Sequence, residues 1–238
     1  MFRQGDIDIL LIFLKYLVSC PPMVSMNNVR NKKSAAYENL KRKIISGLLQ
    51  PGEALNEGDL SKEFKISKTP IREALQRLER DGFVEDIPGR GCFVSRISFQ
   101  DIKEFFEIRE ILECEVVKRA ALTGDPEKIE AVRKKFESSE NNGDRSPRSQ
   151  FKAGDRIHTY IFETFGNNRL NEIYRRLIEH VERMRIHFFN QPRTERAGQS
   201  YKEHMEILDA LAARDPVRAE NAVRNHYRNS IEFYRRII

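Results

Sequence analysis

The feature that most restricts the fold of this 238-residue chain is a helical periodicity that runs from Ser98 to the C-terminus. Apolar residues recur there about every 3.6 residues, and there is no strand-like alternation. The periodic segments are 98–123, 126–139, about 149–165, 168–190, 194–213 and 216–237. Residues 98–238 are therefore predicted to form an all-α bundle of about six helices.

Local capping signals mark where several of these helices begin. Ser98 and Asp101 have the spacing of an approximate capping box. Asp125-Pro126 and Asp215-Pro216 each place an acidic cap before a proline of the first helical turn. The polar stretch ESSENNGDRSPRS is short and is interpreted as a connector within the bundle.

Residues 34–97 contain shorter elements in the order helix, helix, helix, hairpin. The helices are AAYENLKRKIISGLL, EGDLSKEF and SKTPIREALQRLERDG, and the strands FVED and CFVS flank IPGRG. Gly82 is expected to end the third helix, and Pro88–Gly91 to form the hairpin tip. This order predicts a winged helix-turn-helix, so the fold class is mainly α, with an N-terminal winged helix-turn-helix and a C-terminal helical bundle.

In a helix-turn-helix, the N-terminal end of the second helix reaches base edges and phosphates in the major groove. Lys68 and Arg72 lie one turn apart at that end, and either can pair with guanine O6 and N7. Arg77 borders the core face and is expected to contact phosphate or solvent, while Arg90 at the hairpin tip can reach a minor groove or backbone. The predicted DNA-binding residues are Ser67, Lys68, Thr69, Arg72, Arg77 and Arg90, and the inward-facing residues are Ile71, Ala74, Leu75 and Leu78.

Composition favours an intracellular protein with an anionic partner. A net charge of +6 and a pI near 9.2 are compatible with binding to DNA. Cys20, Cys92 and Cys114 are odd in number and have no ligand-like spacing, so no disulfide framework is implied and a reducing compartment is expected.

The apolar run ILLIFLKYLVSC, residues 9–20, raises the possibility of an export signal. Asp6 and Asp8 lie just before the run and Lys15 interrupts it, so it is a poor export signal. It is also too short to span a bilayer. We expect a cytoplasmic protein without membrane association. Residues 1–33 are interpreted as an N-terminal extension.

Histidine spacing in the bundle predicts a metal site. Asp155 and His158 are three residues apart and share a helix face. His204 lies 11 residues before Asp215 and His226 lies 11 after it. A turn at Asp215-Pro216 would bring both imidazoles to the same height, roughly 16 Å from the turn. Three histidines and a carboxylate suit Zn²⁺, Ni²⁺ or Mn²⁺, although single histidines on helices are more often ordinary core or surface residues.

The N-terminal region resembles the DNA-binding domain of the GntR family of bacterial transcription regulators. The family motif I-x-x-G-x-L-x-P-G-x-x-L ends here at Leu55, the motif S-R-T-P-V-R-E-A-L-x-x-L corresponds to Ser67–Leu78, and G-[LF]-V corresponds to Gly82–Val84. Lys68 stands where the family usually has arginine, which keeps the charge but loses the bidentate fork.

The bundle resembles the FCD-type effector domain of the FadR subfamily, through EIREILECEVVKRAA, DRIHTYIFETFGNNRL and EHMEILDALAARDPVRAENAVRNH. The resemblance implies a metal bound by one aspartate and three histidines. Its aspartate usually precedes the first histidine by four residues, whereas position 154 is glycine here and the aspartate is at 155. The implied ligands are Asp155, His158, His204 and His226.

Other residues of the bundle are interpreted through the same resemblance. Arg109 resembles a family arginine that faces the effector pocket, and its alternative role is a salt bridge to a neighbouring acidic residue. His180 and His187 have no counterpart in the motif and are expected to be ordinary helix residues, with His187 a candidate for lining a pocket.

These patterns predict a metabolite-responsive transcription factor rather than an enzyme. We expect a repressor that binds an inverted-repeat operator as a homodimer and responds to a small carboxylate. Metal-dependent hydrolysis stays open as an alternative, although no HExxH or comparable glutamate is visible. A purely structural dimerisation bundle is a second alternative. The expected domains are 1–33, 34–97 and 98–238.

Overall fold

The computed structural model describes residues 26–141, 147–188 and 194–237. The described residues form two compact units. The first contains the described residues up to Arg42 together with Ala54–Phe93, and the second contains Lys43–Glu53 and the described residues from Val94 onward. The predicted fold class is confirmed, because three helices and a small antiparallel sheet precede a bundle of helices.

The N-terminal elements follow the predicted order with one added strand. They are α1 (Met26–Ile45), β1 (Ala54–Leu55), α2 (Glu57–Phe64), α3 (Lys68–Arg80), β2 (Val84–Ile87) and β3 (Gly91–Val94). The Asn56 side chain begins α2 by accepting hydrogen bonds from the backbone N–H groups of Gly58 and Asp59. Gly82, at φ +78°, follows the end of α3, where the sequence predicts that this helix stops.

The sheet is three-stranded, with the order β1-β3-β2. Strand β1 pairs antiparallel with β3, so that Ala54 lies opposite Phe93 and Leu55 opposite Cys92. A two-residue strand shows no alternation of its own, which is why the sequence predicts only the β2–β3 hairpin.

The buried face of α3 anchors it in the first unit. Its inward residues are Ile71, Ala74, Leu75 and Leu78, as predicted, and Pro70 is buried with them. Burial of each large apolar side chain stabilises the fold by roughly 1.5–3 kcal/mol. The Tyr37 hydroxyl of α1 donates a hydrogen bond of 2.6 Å to Asp81, at the end of α3. The opposite face of α3 is thereby held toward solvent.

The second unit is built from six long helices of the described chain. They are α4 (Phe99–Thr123), α5 (Pro126–Asn141), α6 (Pro147–Phe165), α7 (Asn168–Phe188), α8 (Thr194–Ala212) and α9 (Pro216–Ile237). The predicted capping box is confirmed, because the Ser98 side chain accepts from Asp101 N–H and Asp101 accepts from Ser98 N–H. Asp215 caps α9 by accepting from the N–H groups of Val217 and Arg218.

Helix α4 lies against most of the other helices of the bundle. It packs most extensively on α9 and also contacts α6, α7 and α8. The turn at Asp215 joins α8 and α9 into a packed helical hairpin. The surrounding core is apolar, apart from a small set of buried polar residues that includes Arg109, Glu113, His158, His204 and His226.

Two cysteines lie within the described residues, and both are free thiols. Cys92 is half-buried and Cys114 is buried, and burial raises the pKa of each to about 11. Among the described residues, no helix combines the length and apolarity needed to cross a bilayer. Cys20 and the apolar run at residues 9–20 lie outside the described residues.

Candidate functional site

The exposed N-terminal end of α3 carries four of the predicted DNA-binding residues. Ser67, Lys68 and Thr69 are all exposed. Ser67 occupies the N-cap position, but its hydroxyl makes no capping hydrogen bond. The first N–H groups of a helix favour a negatively charged partner such as phosphate. This end of α3 therefore offers backbone donors, a hydroxyl and cationic side chains together.

Arg72 projects from the same end but is already paired within the first unit. Its Nε and Nη2 donate to the two carboxylate oxygens of Glu57 at 2.9 and 2.8 Å. The hydrogen bond from Arg72 lowers the pKa of Glu57, so the pair is charged at neutral pH. The Arg72 side chain keeps 61% of its surface exposed. Nothing in the sequence around Glu57 indicates that this residue orients the guanidinium.

Arg77 and Arg90 have different surroundings. The Arg77 guanidinium lies over the Tyr37 ring at 3.7 Å, and its Nε is 3.9 Å from Asp81. Arg90 is exposed between Gly89 and Gly91, whose positive φ angles of +74° and +95° form the tight hairpin tip. Arg90 is thus placed at the tip of the wing, whereas Arg77 packs against α1.

Three histidines from three helices meet inside the bundle. His158 of α6, His204 of α8 and His226 of α9 are all buried, and one potential ligand atom from each lies within 4.8 Å of the others. The Nε2 atoms of His158 and His204 are 3.2 Å apart. Two nitrogen ligands of a tetrahedral zinc ion are separated by about 3.3 Å when each Zn–N distance is about 2.0–2.1 Å. The cluster therefore fits a divalent metal ion.

The other ring nitrogen of each histidine has a side-chain partner. The Nδ1 of His158 lies 2.5 Å from Glu113, and the Nδ1 of His226 lies 2.8 Å from Glu203. The Nδ1 of His204 lies 3.3 Å from the Ser200 hydroxyl. Hydrogen bonds at one ring nitrogen fix the orientation of the imidazole and leave Nε2 for a metal. These partners were not predicted from the sequence.

Burial lowers the pKa of all three histidines well below its ordinary value, and neighbouring cations and histidines add to the effect. Neutral imidazoles are the form that binds metal. Desolvation is the largest cause of the lowered pKa of His158, His204 and His226. The three imidazoles are therefore neutral at neutral pH and able to bind a metal.

These shifts predict that metal-free protein loses stability in mild acid. Below pH about 6.5 the unfolded chain binds protons at these histidines while the folded chain does not, so the free energy of unfolding falls as pH falls. Each histidine that stays neutral contributes a slope of roughly 1.4 kcal/mol per pH unit. Melting temperatures in chelator between about pH 7.5 and about pH 5.5 test this. A flat profile across that interval would contradict it.

The structure does not bring Asp155 to the three histidines. Both of its carboxylate oxygens contact Nη1 of Arg185 at 2.8 Å. Burial disfavours its charged form, but Arg185 and Arg109 outweigh that effect and lower the pKa of Asp155. The residue that faces the cluster on this turn is Gly154, where an added Cβ would lie 2.6 Å from the His204 ring. One step along a helix turns a side chain by about 100°, which accounts for the difference.

Arg109 is fully buried beside the cluster. Its Nε lies 3.2 Å from Glu113 and its Nη2 donates to the Tyr174 hydroxyl at 3.1 Å, so the predicted alternative of a salt bridge is present. Its Nη1, however, is buried without a hydrogen-bond partner among the described residues. Glu113 contacts both Arg109 and His158, and the Tyr227 hydroxyl also donates to it. One carboxylate therefore joins the arginine to the histidine cluster.

His180 and His187 lie outside the cluster. His180 stacks on Phe105 with ring centroids 4.8 Å apart. His187 is exposed and lines a shallow pocket within the second unit, together with Arg183 and Ile186. The structure thus separates three histidines with a shared centre from two that lie elsewhere in the bundle.

Comparison with known proteins identifies both the N-terminal region and the helical bundle. A family model described as the FCD domain matches residues 104–229, which is more than half of the chain, and a model described as bacterial regulatory proteins of the gntR family matches residues 32–94. The chain belongs to the GntR family. It is a DNA-binding transcriptional regulator of the FCD type and, like that family, is not an enzyme.

Similar proteins cover nearly the whole of this GntR regulator. The HTH-type transcriptional regulator YdhC of Bacillus subtilis is 28% identical over 208 residues, which is 85% of this chain and 90% of YdhC. The transcriptional repressor RspR of Escherichia coli is 25% identical over 213 residues, 89% of this chain and 92% of RspR. A GntR-type regulator from Rhodococcus sp. RHA1 shares the fold, with a TM-score of 0.70 and 24% identity, over 85% of this chain and 96% of that structure.

Proposed function

We propose that this GntR regulator is a cytoplasmic, metabolite-responsive repressor. It binds an inverted-repeat operator as a homodimer, and a small carboxylate bound next to a divalent metal ion in the bundle controls its affinity for DNA. Ser67, Lys68, Thr69, Arg72 and Arg90 contact DNA, with Arg77 at the edge of that surface. The similarity to RspR, a transcriptional repressor, supports this direction of control.

The observation that carries the proposal is the buried Arg109, whose Nη1 has no hydrogen-bond partner in the described part of the chain. A buried donor without a partner costs roughly 1–3 kcal/mol, and an anionic ligand would remove that cost. Glu113 connects this arginine to His158, so the cation and the histidine cluster belong to one polar centre. A divalent ion on His158, His204 and His226 would supply open coordination positions for a carboxylate.

Dimerisation follows from the DNA-binding mode and is supported by the surface of α4. Helix-turn-helix regulators generally read two half-sites with two copies of the module. Ile108, Ile111 and Leu122 of α4 are exposed by 44%, 71% and 58%. Large apolar side chains on the exposed face of one helix favour contact with a second copy of the chain.

Arg109→Lys is expected to weaken a bound carboxylate roughly tenfold or more, because lysine keeps the charge opposite Glu113 but loses the planar fork. Lysine is preferred to alanine because alanine would leave the Glu113 carboxylate without its arginine. The ligand is found first by a thermal-shift panel of small carboxylates, with and without chelator. Operator affinity is then measured with and without the best hit, in wild type and Arg109→Lys.

The ligand can change DNA affinity only by preferring one conformational state, and typical couplings correspond to about 5- to 150-fold. Arg224→Lys is the matched control, since Arg224 of α9 pairs with Glu110 of α4 at 2.8 Å. It should respond to the ligand as wild type does. Equal responses in wild type and Arg109→Lys would refute the role of Arg109. An absence of any hit, with metal-independent DNA binding, would favour the purely structural bundle.

A further inference from the structure

Among the residues that the structure describes, the donor set of the histidine cluster contains no carboxylate. Asp155 is held by Arg185, and Gly154 has no side chain to offer. A Cβ at position 154 would lie 2.6 Å from Cε1 and 2.8 Å from Nε2 of His204. The imidazole therefore occupies the space that a side chain at 154 would need. The direct donors of this centre are three neutral rings.

Two carboxylates, one buried and one partly buried, lie instead on the far side of the rings. Glu113 lies against Nδ1 of His158, and Glu203 against Nδ1 of His226. A carboxylate accepts hydrogen bonds, so each of these imidazoles donates from Nδ1 and keeps the Nε2 lone pair for a metal. Such partners orient the ring and raise its basicity as a ligand.

Glu203 is itself held firmly in this position. Arg196 Nη1 contacts both of its oxygens at 3.0 Å, and the Asn229 amide donates to it at 2.8 Å. These contacts keep the carboxylate on His226 and away from the shared centre of the cluster. Glu203 is thus built to position a ligand rather than to become one.

We propose that the metal centre of this regulator is a three-histidine site whose affinity is set by Glu113 and Glu203 as positioning residues, and not by Asp155. The inference rests on the proposed metal-dependent function and makes it more specific. Donor sets of imidazole alone suit Zn²⁺ or Ni²⁺, whereas Mn²⁺ prefers carboxylate and water. Of the three ions that the sequence suggests, Mn²⁺ generally binds most weakly at any site, and a donor set without a carboxylate is expected to widen that difference.

The test uses the full-length protein and a chelator-competition titration with Zn²⁺ and Mn²⁺. Glu203→Gln is expected to lower Zn²⁺ affinity about 10- to 100-fold. Glu206→Gln is the matched control on the same helix, because Glu206 pairs with the exposed Arg218. It should bind Zn²⁺ as wild type does, and Asp155→Asn should also retain Zn²⁺ affinity within a few-fold. Wild type should bind Zn²⁺ far more tightly than Mn²⁺.

A second readout separates positioning from simple structural support. Nitrogen-15 spectra of histidine-labelled, metal-free protein should show His158 and His226 protonated at Nδ1. Glu203→Gln should weaken that preference at His226, whereas Glu206→Gln should leave it unchanged. A loss of melting temperature with unchanged Zn²⁺ affinity would assign Glu203 a structural role and overturn the proposal.

The outcomes distinguish this inference from the proposed function. Wild-type protein that binds neither ion contradicts the metal-dependent function itself. Tight Zn²⁺ binding in wild type that is lost in Asp155→Asn, or kept in Glu203→Gln, overturns only the positioning proposal, as does equal affinity for Mn²⁺. If Glu203→Gln does not fold, three other measurements still test the positioning proposal. They are the comparison of Zn²⁺ with Mn²⁺, the Asp155→Asn titration and the nitrogen-15 spectra of wild type.

Discussion

Arg72→Ala is expected to abolish specific operator binding while leaving the fold intact. The side chain is largely exposed, and its removal does not disturb the buried face of α3. Loss of a bidentate base contact costs roughly 1–3 kcal/mol at each half-site, and two half-sites on a dimer double that cost. Binding to operator and to scrambled DNA across a salt series measures the effect. Specific binding should fall much more than nonspecific binding.

Two control variants separate a base contact of Arg72 from a general charge effect and from a packing role. Arg80→Ala removes the same charge at the exposed far end of α3, so it should lower affinity slightly and equally for both DNAs. Glu57→Gln removes the partner of Arg72 without removing the guanidinium. If Glu57→Gln reproduces the full loss, Arg72 serves mainly to hold α2 against α3. Wild-type affinity in Arg72→Ala would show that the groove assignment is wrong.

His204→Ala and His226→Ala are each expected to empty the metal site. Two remaining imidazoles leave too few protein ligands for a stable structural or sensory centre. Wild-type protein should contain about one divalent ion per chain, and the variants almost none. A metal at 100 times its dissociation constant stabilises the folded state by about 2.7 kcal/mol, so the gain in melting temperature on adding metal should vanish. Elemental analysis and thermal melts provide the two measurements.

His187→Ala is the matched control for these variants. His187 is exposed and lies outside the cluster, so its loss should leave the metal content and the response to chelator unchanged. If wild-type protein prepared without chelator contains no metal and takes up none on titration, the site is absent. If His226→Ala retains a full equivalent of metal, the cluster is not where the ion binds.

The sequence predicts features that depend on local chemistry or on regular helix geometry. Asp215 caps its helix as expected, because cap and proline act within one turn. The equal spacing of His204 and His226 from that turn predicts that they meet, and their ring centroids are 4.5 Å apart. A constant rise per residue makes such a prediction possible without knowledge of the packing.

Features that depend on packing between distant segments were not predictable. Glu113 contacts His158 from another helix, and nothing near either residue signals the pair, although Glu113 lies on the same buried face of α4 as Val116 and Val117. The three-residue spacing places Asp155 and His158 on roughly the same face of their helix. The Asp155 carboxylate nevertheless pairs with Arg185 of α7. Whether Asp155 binds a metal or a guanidinium therefore depends on helix α7, and the spacing between Asp155 and His158 contains no information about that helix.

The residue at the position of Gly154 predicts how the metal site is arranged in other members of this family. Where a chain has three corresponding histidines and glycine at this position, we expect the second histidine to lie against the bare backbone, as His204 does here. Where the position has a side chain, its Cβ would clash with the imidazole of that histidine, so the histidine must lie further from the backbone. Sorting relatives by this residue should therefore divide them into groups with different metal preferences before any of them is purified.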